Sequence, residues 1–335
     1  MSLQPLRIAV IGAGHLGRWH AQQLSTLPDV ELVAICDPDP RCRELADRYG
    51  CALVQEAADL DAGGLDGATI AAPTTLHHDL ARHFLERDVP CLVEKPLAAT
   101  VSDARALCEL AEGRGVLLQV GHIERFNPAL RAVAQQIRMP RFLEAVRLAP
   151  YPFRATDVGV ILDLMIHDLE IVIALVQREI RVVRAWAAPV FSDTEDLAAA
   201  WIEFEGGACA QLKAVRAALH SERRLRVYQD DGCLEVDFLG RTATMIRRRD
   251  DVDPELVPSS LSPDDLGGMA PVDFVRERLV TVEQPAVDVG ANPLRDELAA
   301  FAASIRLGTP PLVGGRDGLR AIEAAERVRT AAGLG

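Results

Sequence analysis

The feature that most restricts how this chain folds is a β-strand that runs into a glycine-rich turn and then a helix. Leu6 to Ile11 is a run of β-forming residues, and Gly12-Ala13-Gly14-His15-Leu16-Gly17 follows it directly. Arg18 to Leu27 then has the pattern of a helix. In this context the first glycine permits a tight turn, the second lets the backbone approach a diphosphate, and the third lets helix and strand pack closely. The order predicts a dinucleotide-binding unit, with the diphosphate at the amino terminus of the helix.

An acidic residue at the end of the next predicted strand indicates which dinucleotide is bound. The strand Glu31 to Cys36 ends in Asp37, where an acid binds the adenosine ribose hydroxyls. Because an acid there repels a 2′-phosphate, Asp37 favours NAD over NADP as the cofactor. Arg41 follows closely and would partly reverse that preference. The alternative is that Asp37 only caps the helix that starts near Arg41.

Strands and helices continue to alternate up to about residue 120. The segments with strand patterns are Cys51 to Val54, Gly67 to Ala72, Val89 to Glu94 and Val116 to Val120. The segments with helix patterns are His77 to Arg87 and a stretch that Thr100, Ser102 or Asp103 would cap and that reaches Arg114. This spacing predicts parallel βαβ units with right-handed crossovers, and hence a doubly wound parallel sheet.

A lysine follows the strand that ends at Glu94, in the run Val93-Glu94-Lys95-Pro96-Leu97. Pro96 pushes Lys95 out of the helical region toward an extended conformation. Lys95 is therefore expected at the carboxyl edge of the sheet, which is where ligands bind in open α/β sheets. Pro73 and Thr74 are predicted at the same edge, near the place that a nicotinamide ring would take. From the lysine run alone, a surface lysine beside a turn is the alternative.

The remainder of the chain has a different pattern. Helices are predicted for Pro128 to about Ile137, Val158 to Val176, Pro293 to Leu307 and Arg316 to Ala332. Strands are predicted for Phe142 to Leu148, Val182 to Pro189, Ala198 to Phe204, Ala208 to Val215, Arg224 to Tyr228, Cys233 to Phe238 and Thr242 to Arg247. Gly206-Gly207 and Asp231-Gly232 are hairpin signals, so an antiparallel sheet fits better than further βαβ units. Asp250 to Asn292 is mostly irregular, with a strand only at Leu279 to Val282.

Composition excludes several classes of function. The formal net charge of −13 repels polyanions and argues against nucleic acid and anionic membranes as partners. The basic runs Arg223-Arg224-Arg226 and Arg247-Arg248-Arg249 are solvated strand ends or, alternatively, contacts for a phosphate-bearing substrate.

Seven cysteines without C-x-x-C spacing indicate reduced thiols. With no signal peptide and with charges inside the apolar stretch Ile161 to Val176, we expect a soluble cytoplasmic protein. His77 and His78 suit a helix start better than a metal site, and no ligand cluster has metal spacing.

Four motifs together carry a family resemblance: the glycine run, Pro73-Thr74 with His77, Glu94-Lys95-Pro96-Leu97, and Asp163-x-x-x-His167. They occur in order and at familiar separations, and the chain resembles the Gfo/Idh/MocA family over nearly its whole length. The resemblance implies a Rossmann domain over residues 1–122. It implies a second domain over residues 123–335, with an open-faced, mostly antiparallel sheet, helices on one side, and closing helices free to pack back on the first domain. It also implies a homodimer or homotetramer through the C-terminal sheet.

Within the family, two runs look most like the UDP-N-acetylglucosamine 3-dehydrogenase branch. They are Gly121-His122-Ile123-Glu124-Arg125-Phe126-Asn127-Pro128 and Asp163-Leu164-Met165-Ile166-His167-Asp168.

The resemblance also implies roles for individual residues. It assigns catalysis to Lys95, Asp163 and His167: His167 as the base, Lys95 as donor to the reacting oxygen, and Asp163 as the group that orients the imidazole or holds a neighbouring hydroxyl. Asp163 and His167 share one face of a helix, and without the resemblance they would be read as a surface pair. The predicted cofactor-binding residues are Gly12, Gly14, His15, Leu16, Gly17, Asp37, Pro73, Thr74, His77, Glu94 and Lys95. The predicted substrate-binding residues are Lys95, His122, Arg125, Arg154, Asp163 and His167.

These assignments predict an NAD-dependent dehydrogenase that oxidises a secondary alcohol of a sugar, a nucleotide sugar or a cyclic polyol. UDP-N-acetylglucosamine oxidised at C3 is one such substrate. Two alternatives keep the cofactor. The first is a hydrolase or lyase that oxidises and re-reduces its substrate on tightly held NAD. The second is a dinucleotide-binding sensor without catalysis.

Overall fold

The computed structural model describes residues 4–153, 158–257 and 265–334, and its first part is a parallel sheet with helices on both faces. The strands of this sheet are β1 (Leu6–Ile11), β2 (Val30–Cys36), β3 (Ala52–Val54), β4 (Gly67–Ile70), β5 (Cys91–Glu94) and β6 (Leu118–Gly121). The helices between them are α1 (His15–Leu24), α2 (Arg43–Tyr49), α3 (His77–Leu85) and α4 (Val101–Arg114).

The strand order in this sheet is β3-β2-β1-β4-β5-β6, and every neighbouring pair is parallel. The predicted doubly wound parallel sheet is therefore confirmed. The order reverses between β1 and β4, and ligands of such sheets bind outside the carboxyl ends of the strands at this switch point. Because Ile11 pairs with Ile70 and Ile70 with Val93, the glycine turn after β1 and Lys95 after β5 leave the sheet at the same edge.

The second sheet has eight strands in the order β14-β13-β12-β11-β7-β10-β9-β8. They are β7 (Phe142–Leu148), β8 (Ile180–Ala188), β9 (Leu197–Phe204), β10 (Cys209–Val215), β11 (Glu222–Gln229), β12 (Gly232–Asp237), β13 (Thr242–Arg248) and β14 (Val280–Glu283). All neighbours are antiparallel except β7 and β10. After β7 the chain passes over the sheet as a helix and then forms the antiparallel strands β8, β9 and β10. As a result, β10 pairs with β7 in the parallel direction. The predicted mostly antiparallel sheet is confirmed.

The helices of this second part are α5 (Pro128–Val133), α6 (Ile166–Val176), α7 (Pro271–Phe274), α8 (Pro293–Leu307) and α9 (Gly315–Ala331). Single turns of 3-10 helix occupy Pro40–Cys42, Ala57–Asp59, Ala62–Gly64, Thr74–Leu76, Ile123–Phe126, Ala134–Gln136 and Pro254–Leu256. Two π-helical turns, Ile161–Met165 and Val275–Leu279, precede α6 and β14 respectively.

Several predicted boundaries are wrong. The first helix begins at His15 rather than Arg18, because the backbone N–H of Arg18 bonds the carbonyl of Gly14 and the first helical turn lies inside the glycine motif. The helix predicted to run to Ile137 leaves the α conformation after Val133. The long helix predicted from Val158 opens with a π-helical turn, which no hydrophobic period announces.

The segment predicted as irregular contains more structure than the single strand expected. Pro271 stands at the first position of a short helix, where its missing N–H costs nothing, and a π-helical turn follows. The strand itself lies one residue later than predicted. Residues 258–264 lie outside the described part of the chain.

The closing helices pack on the first sheet as well as on the second. α8 packs against α1, while α9 packs against both α4 and α6. The backbone N–H of Val120 in β6 also donates to the carbonyl of Val313, just before α9. The boundary between residues 122 and 123 stays a prediction. Among the described residues, no helix has the length and hydropathy needed to cross a bilayer.

Candidate active site

Lys95 and Asp163 are brought together from opposite parts of the fold. The ammonium Nζ of Lys95 donates to the backbone carbonyl of Asp163 at 2.8 Å and lies 3.3 Å from its carboxylate Oδ1. The lysine side chain is 16% exposed and the aspartate 37%, so this contact lies at a surface that a small molecule can reach. The peptide between Lys95 and Pro96 is cis. The structure thus brings two of the predicted catalytic residues into contact, and their catalytic roles stay predictions.

His167 lies beside His122, with ring centroids 6.2 Å apart in an edge-to-face arrangement. Burial lowers the pKa of His167 well below 6.5, and the charges of Lys95 and Arg147 lower it further. The imidazole is consequently neutral at pH 7 and has a lone pair with which to accept a proton. Its Nδ1 is buried and has no hydrogen-bond partner among the described residues.

His122 is buried more completely than His167. Burial lowers its pKa to about 3, and the positive charges of Lys95 and Arg125 add to the effect. Neither ring nitrogen of His122 has a partner within the part of the chain that the structure describes. Buried polar groups are nearly always paired, so these nitrogens call for a ligand or an ordered water.

The glycine motif has the shape that a bound diphosphate requires. A Cβ on Gly12 would lie 2.7 Å from the carbonyl oxygen of Ala71, and one on Gly17 would overlap the carbonyl oxygen of Gly12. Gly12 also has φ +89°, in the left-handed region. By contrast, a Cβ on Gly14 would meet nothing within 4 Å. The outer glycines are needed for packing, while Gly14 leaves open space beside the start of α1, as a dinucleotide needs.

Asp37 lies against this turn. Its Oδ2 accepts a hydrogen bond from the backbone N–H of Ala13 at 2.7 Å, and its Oδ1 accepts one from Asp39 at 2.9 Å. The carboxylate thus links the end of β2 to the glycine turn, at the position predicted for ribose recognition. Around the turn, His15 is exposed and Leu16 is 45% exposed.

Two residues predicted to bind the cofactor have their side chains turned into the protein. His77 is buried, with Nδ1 at 2.8 Å from the carbonyl of Pro96 and Nε2 at 2.9 Å from that of Ala72. It therefore joins the end of β4 to the turn after Lys95, whereas Pro73 is exposed and Thr74 half-buried at the rim. Glu94 is also buried, and its carboxylate faces α1.

Arg125 does not face the contact between Lys95 and Asp163. Its Nη1 donates to the buried carboxylate of Glu170 at 2.6 Å. Burial raises the pKa of Glu170 to about 7, although Arg125 opposes the shift. The pair lies in a cavity bordered by α4, α6 and α9, and neither Lys95 nor His167 is among its described lining residues. Arg154, the other predicted arginine, lies outside the described residues.

A buried cluster that sequence reasoning missed supports His167. Arg147 on β7 makes a bidentate salt bridge to Asp168, with N···O distances of 2.9 and 2.8 Å. Its Nη1 also donates to Glu124 at 3.0 Å. Since Asp168 follows His167 in the chain, the cluster fixes α6 against the sheet. A signal was present: Arg147 is in the same alternating row of β7 as the apolar core residues Leu143 and Ala145.

Within the described ranges, no group of three or more His, Cys, Asp or Glu side chains has the arrangement of a metal site. All seven cysteines are free thiols.

The geometry agrees with what comparison with known proteins shows. Residues 6–122 match the model of an oxidoreductase family with an NAD-binding Rossmann fold, and residues 132–235 match the GFO/IDH/MocA C-terminal domain. The chain belongs to the Gfo/Idh/MocA oxidoreductase family.

Two relatives of this family differ in what they act on. The chain is 33% identical over 328 residues to a UDP-N-acetylglucosamine 3-dehydrogenase of Acidithiobacillus ferrooxidans, covering 97% of both chains. A solved structure of that dehydrogenase superposes with a TM-score of 0.86 at 32% identity, covering 99% of both chains. The chain is also 31% identical over 254 residues to a scyllo-inositol 2-dehydrogenase (NAD(+)) of Bacillus subtilis, covering 70% of this chain and 74% of that one.

Proposed function

We propose that this protein is an NAD-dependent dehydrogenase that oxidises a secondary alcohol of a nucleotide sugar, such as the C3 hydroxyl of UDP-N-acetylglucosamine. The observation that carries the proposal is the contact of Lys95 Nζ with Asp163, next to a neutral His167 and at the edge of the sheet where the glycine turn opens. The relative that covers 97% of the chain supports the nucleotide sugar over a polyol.

NAD, when bound, supplies the hydride acceptor. The glycine turn with Gly14 would hold its diphosphate, and Asp37 would hold its adenosine ribose. An acid at this position disfavours a 2′-phosphate, and Arg41, which would favour one, is already paired with Asp39 at 2.6 Å. NAD is therefore the proposed coenzyme rather than NADP.

Side chains of this protein would carry out the proton transfer and stabilise the charge on the substrate oxygen. His167 accepts the hydroxyl proton, because its lowered pKa leaves it unprotonated at neutral pH. Lys95 donates a hydrogen bond to the substrate oxygen and stabilises the negative charge that develops there. Asp163 holds the lysine ammonium in place through its carboxylate and its carbonyl. His122, which is 1% exposed, would pack against the His167 ring rather than contact the substrate itself.

We also propose that the protein is a homo-oligomer that pairs through the open face of the second sheet. Aromatic rings cluster there. The ring of Phe142 on β7 stacks on Tyr228 of the neighbouring β11 with centroids 5.6 Å apart, and it lies 5.8 Å from Trp201 of β9, across the intervening β10. Trp186 on the outer strand is 61% exposed. The same face carries ion pairs such as Arg226 with Glu144, and exposed aromatic residues are enriched at subunit interfaces. Light scattering on the purified chain tests this, and a monomeric mass at micromolar concentration would contradict it.

The test of the function is hydride transfer to NAD. Purified protein is mixed with NAD and, in separate reactions, UDP-N-acetylglucosamine, free N-acetylglucosamine, and scyllo- and myo-inositol. We expect NADH absorbance to rise with UDP-N-acetylglucosamine, and to be lost when Lys95→Met or His167→Asn is introduced. Absence of NADH with all four substrates would refute the proposal.

Two further outcomes would favour the alternatives. Substrate consumption without net NADH would indicate a hydrolase or lyase on tightly held NAD. NAD binding without turnover, unaltered in both variants, would indicate a sensor.

A further inference from the structure

Arg223 is the part of the basic run Arg223-Arg224-Arg226 that faces the helices. Side chains alternate along β11, and Leu225 and Val227 are buried in the core on the helix-covered side of the sheet. Arg223 belongs to the same row. Arg224 belongs to the opposite row, on the open side, where its Nη1 lies 3.3 Å from Glu235. Arg223 and Arg224, although adjacent in the chain, thus lie on opposite faces of the sheet.

The position of Arg223 places it near His167. In the pairing of β11 with β7, Arg223 lies directly opposite Arg147. Arg147 in turn holds Asp168, the residue after His167. Consistent with this closeness, Arg223 is among the charges that lower the pKa of His167, after burial, Lys95, Arg147 and His122.

Among the described residues, the guanidinium of Arg223 is only partly paired. Its Nη1 donates to Glu124 Oε1 at 3.2 Å, but the same oxygen already accepts from Arg147 at 3.0 Å. The Arg223 side chain is 44% exposed, whereas that of Arg147 is 3% exposed. A guanidinium has a planar fork of N–H donors that matches phosphate oxygens in pairs. Within the described ranges, Arg223 therefore has exposed donors left for an anionic ligand.

We propose that Arg223 binds the diphosphate of a nucleoside diphosphate sugar and so makes the site selective for nucleotide sugars over free sugars and inositols. This assignment rests on the proposed function and adds the residue that would recognise the anionic part of the substrate. A phosphate recognised in this way is bound by charge-assisted hydrogen bonds, which are the stronger kind. A sugar or inositol has no group that needs the fork.

The test measures binding of UDP to the full chain in the presence of NAD by calorimetry. Arg223→Gln is expected to weaken UDP binding about 10- to 100-fold, because a charge-assisted bond to a phosphate is lost. Arg223→Lys keeps the charge but not the fork, so its affinity is expected between the two. Arg224→Gln is the matched control, one position along the strand on the opposite face, and is expected to bind UDP like wild type. NAD affinity and the unfolding temperature of each variant show whether it is folded.

The outcomes separate this inference from the proposed function. If UDP binding depends on Arg223 but no NADH forms with UDP-N-acetylglucosamine, the function fails and the inference stands. If NADH forms and Arg223→Gln binds UDP as tightly as wild type does, the inference fails and the function stands. Binding of glucuronate in a parallel titration identifies the anion: a loss confined to glucuronate in Arg223→Gln would overturn the assignment to a diphosphate.

Discussion

His20 Nε2 lies 2.9 Å from Glu94 Oε1, inside the first domain and below the edge that carries Lys95. The other oxygen of Glu94 accepts the backbone N–H of Lys95 at 3.3 Å. His20 belongs to α1, whose first turn lies inside the glycine motif. The Glu94 carboxylate therefore connects the helix that would receive the coenzyme diphosphate to the backbone of the catalytic lysine candidate. Glu94 is better described as a positioning residue than as a coenzyme contact.

Replacing Glu94 by Gln tests this description. Glutamine keeps one acceptor oxygen. If its amide nitrogen faces the Lys95 N–H, that hydrogen bond is lost, and if it faces His20, the ring has to take the tautomer in which Nε2 accepts; either way the charge of the carboxylate is gone. We expect a loss of about 1–3 kcal/mol in the free energy of unfolding. Because Lys95 loses an anchor, kcat should fall about 10- to 100-fold while the Kd for NAD changes little.

Glu109→Gln, an exposed residue on α4, is the control for Glu94→Gln. A lower melting temperature with unchanged kcat would show that the buried pair is structural only.

A second buried carboxyl group, Glu297 of α8, lies close to Glu94. Burial raises the pKa of Glu297 well above 4.5, and the charge of Glu94 raises it further. Neither oxygen of Glu297 has a partner among the described residues. Native Glu297 therefore keeps a proton that the unfolded chain releases above about pH 4.5, and its contribution to stability falls as the pH rises toward its folded-state pKa.

Glu297→Gln fixes the neutral state and removes this loss. We expect the melting temperature of the variant, relative to that of wild type, to increase as the pH is raised from about 5 to about 8. Differential scanning calorimetry across this range measures the difference. A constant or shrinking difference would mean that Glu297 is ionised in the native protein.

The positions of the glycine turn and of Lys95 were predictable from the sequence, because each directly follows the end of a predicted strand. Gly12 and Gly17 pack as the fingerprint requires, and Lys95 meets Asp163 although 68 positions separate them in the chain. The direction of the Glu94 side chain was partly readable. β5 alternates, so Glu94 faces the same side as Leu92, which packs against α1 and α8.

The supporting contacts were not predictable, because their partners are remote in sequence and are chosen by packing. Nothing near Glu94 indicates that α8 brings Glu297 to it, and nothing near Arg125 indicates Glu170. The π-helical turn before α6 also has no sequence period of its own, and yet it determines where Asp163 points relative to His167. Ligand-binding roles were predicted for Arg125 and His77 because each follows a strand end in the sequence. In the structure their side chains instead bond to groups inside the protein.

The pH dependence of activity tests His167 as the base. A base has to be unprotonated, so kcat/KM falls as the pH drops through its pKa. Because burial and the neighbouring cations lower the pKa of His167, we expect full activity at pH 6.5 and an inflection at lower pH. His167→Asn should abolish this inflection along with most of the activity. An inflection above pH 7 that survives in His167→Asn would assign the base to another group.

The buried Arg147 cluster predicts a larger effect on stability than the Glu94 contact does. Arg147→Met keeps much of the volume but leaves Asp168 and Glu124 in the core without their common partner. Breaking a buried ion pair in this way costs about 3–5 kcal/mol, which urea unfolding measures directly. The double variant Arg147→Met/Asp168→Leu removes both ends of the bidentate salt bridge, so it should recover part of the lost stability without recovering kcat. If it recovers kcat as well, Asp168 does not orient His167, and the cluster serves the fold alone.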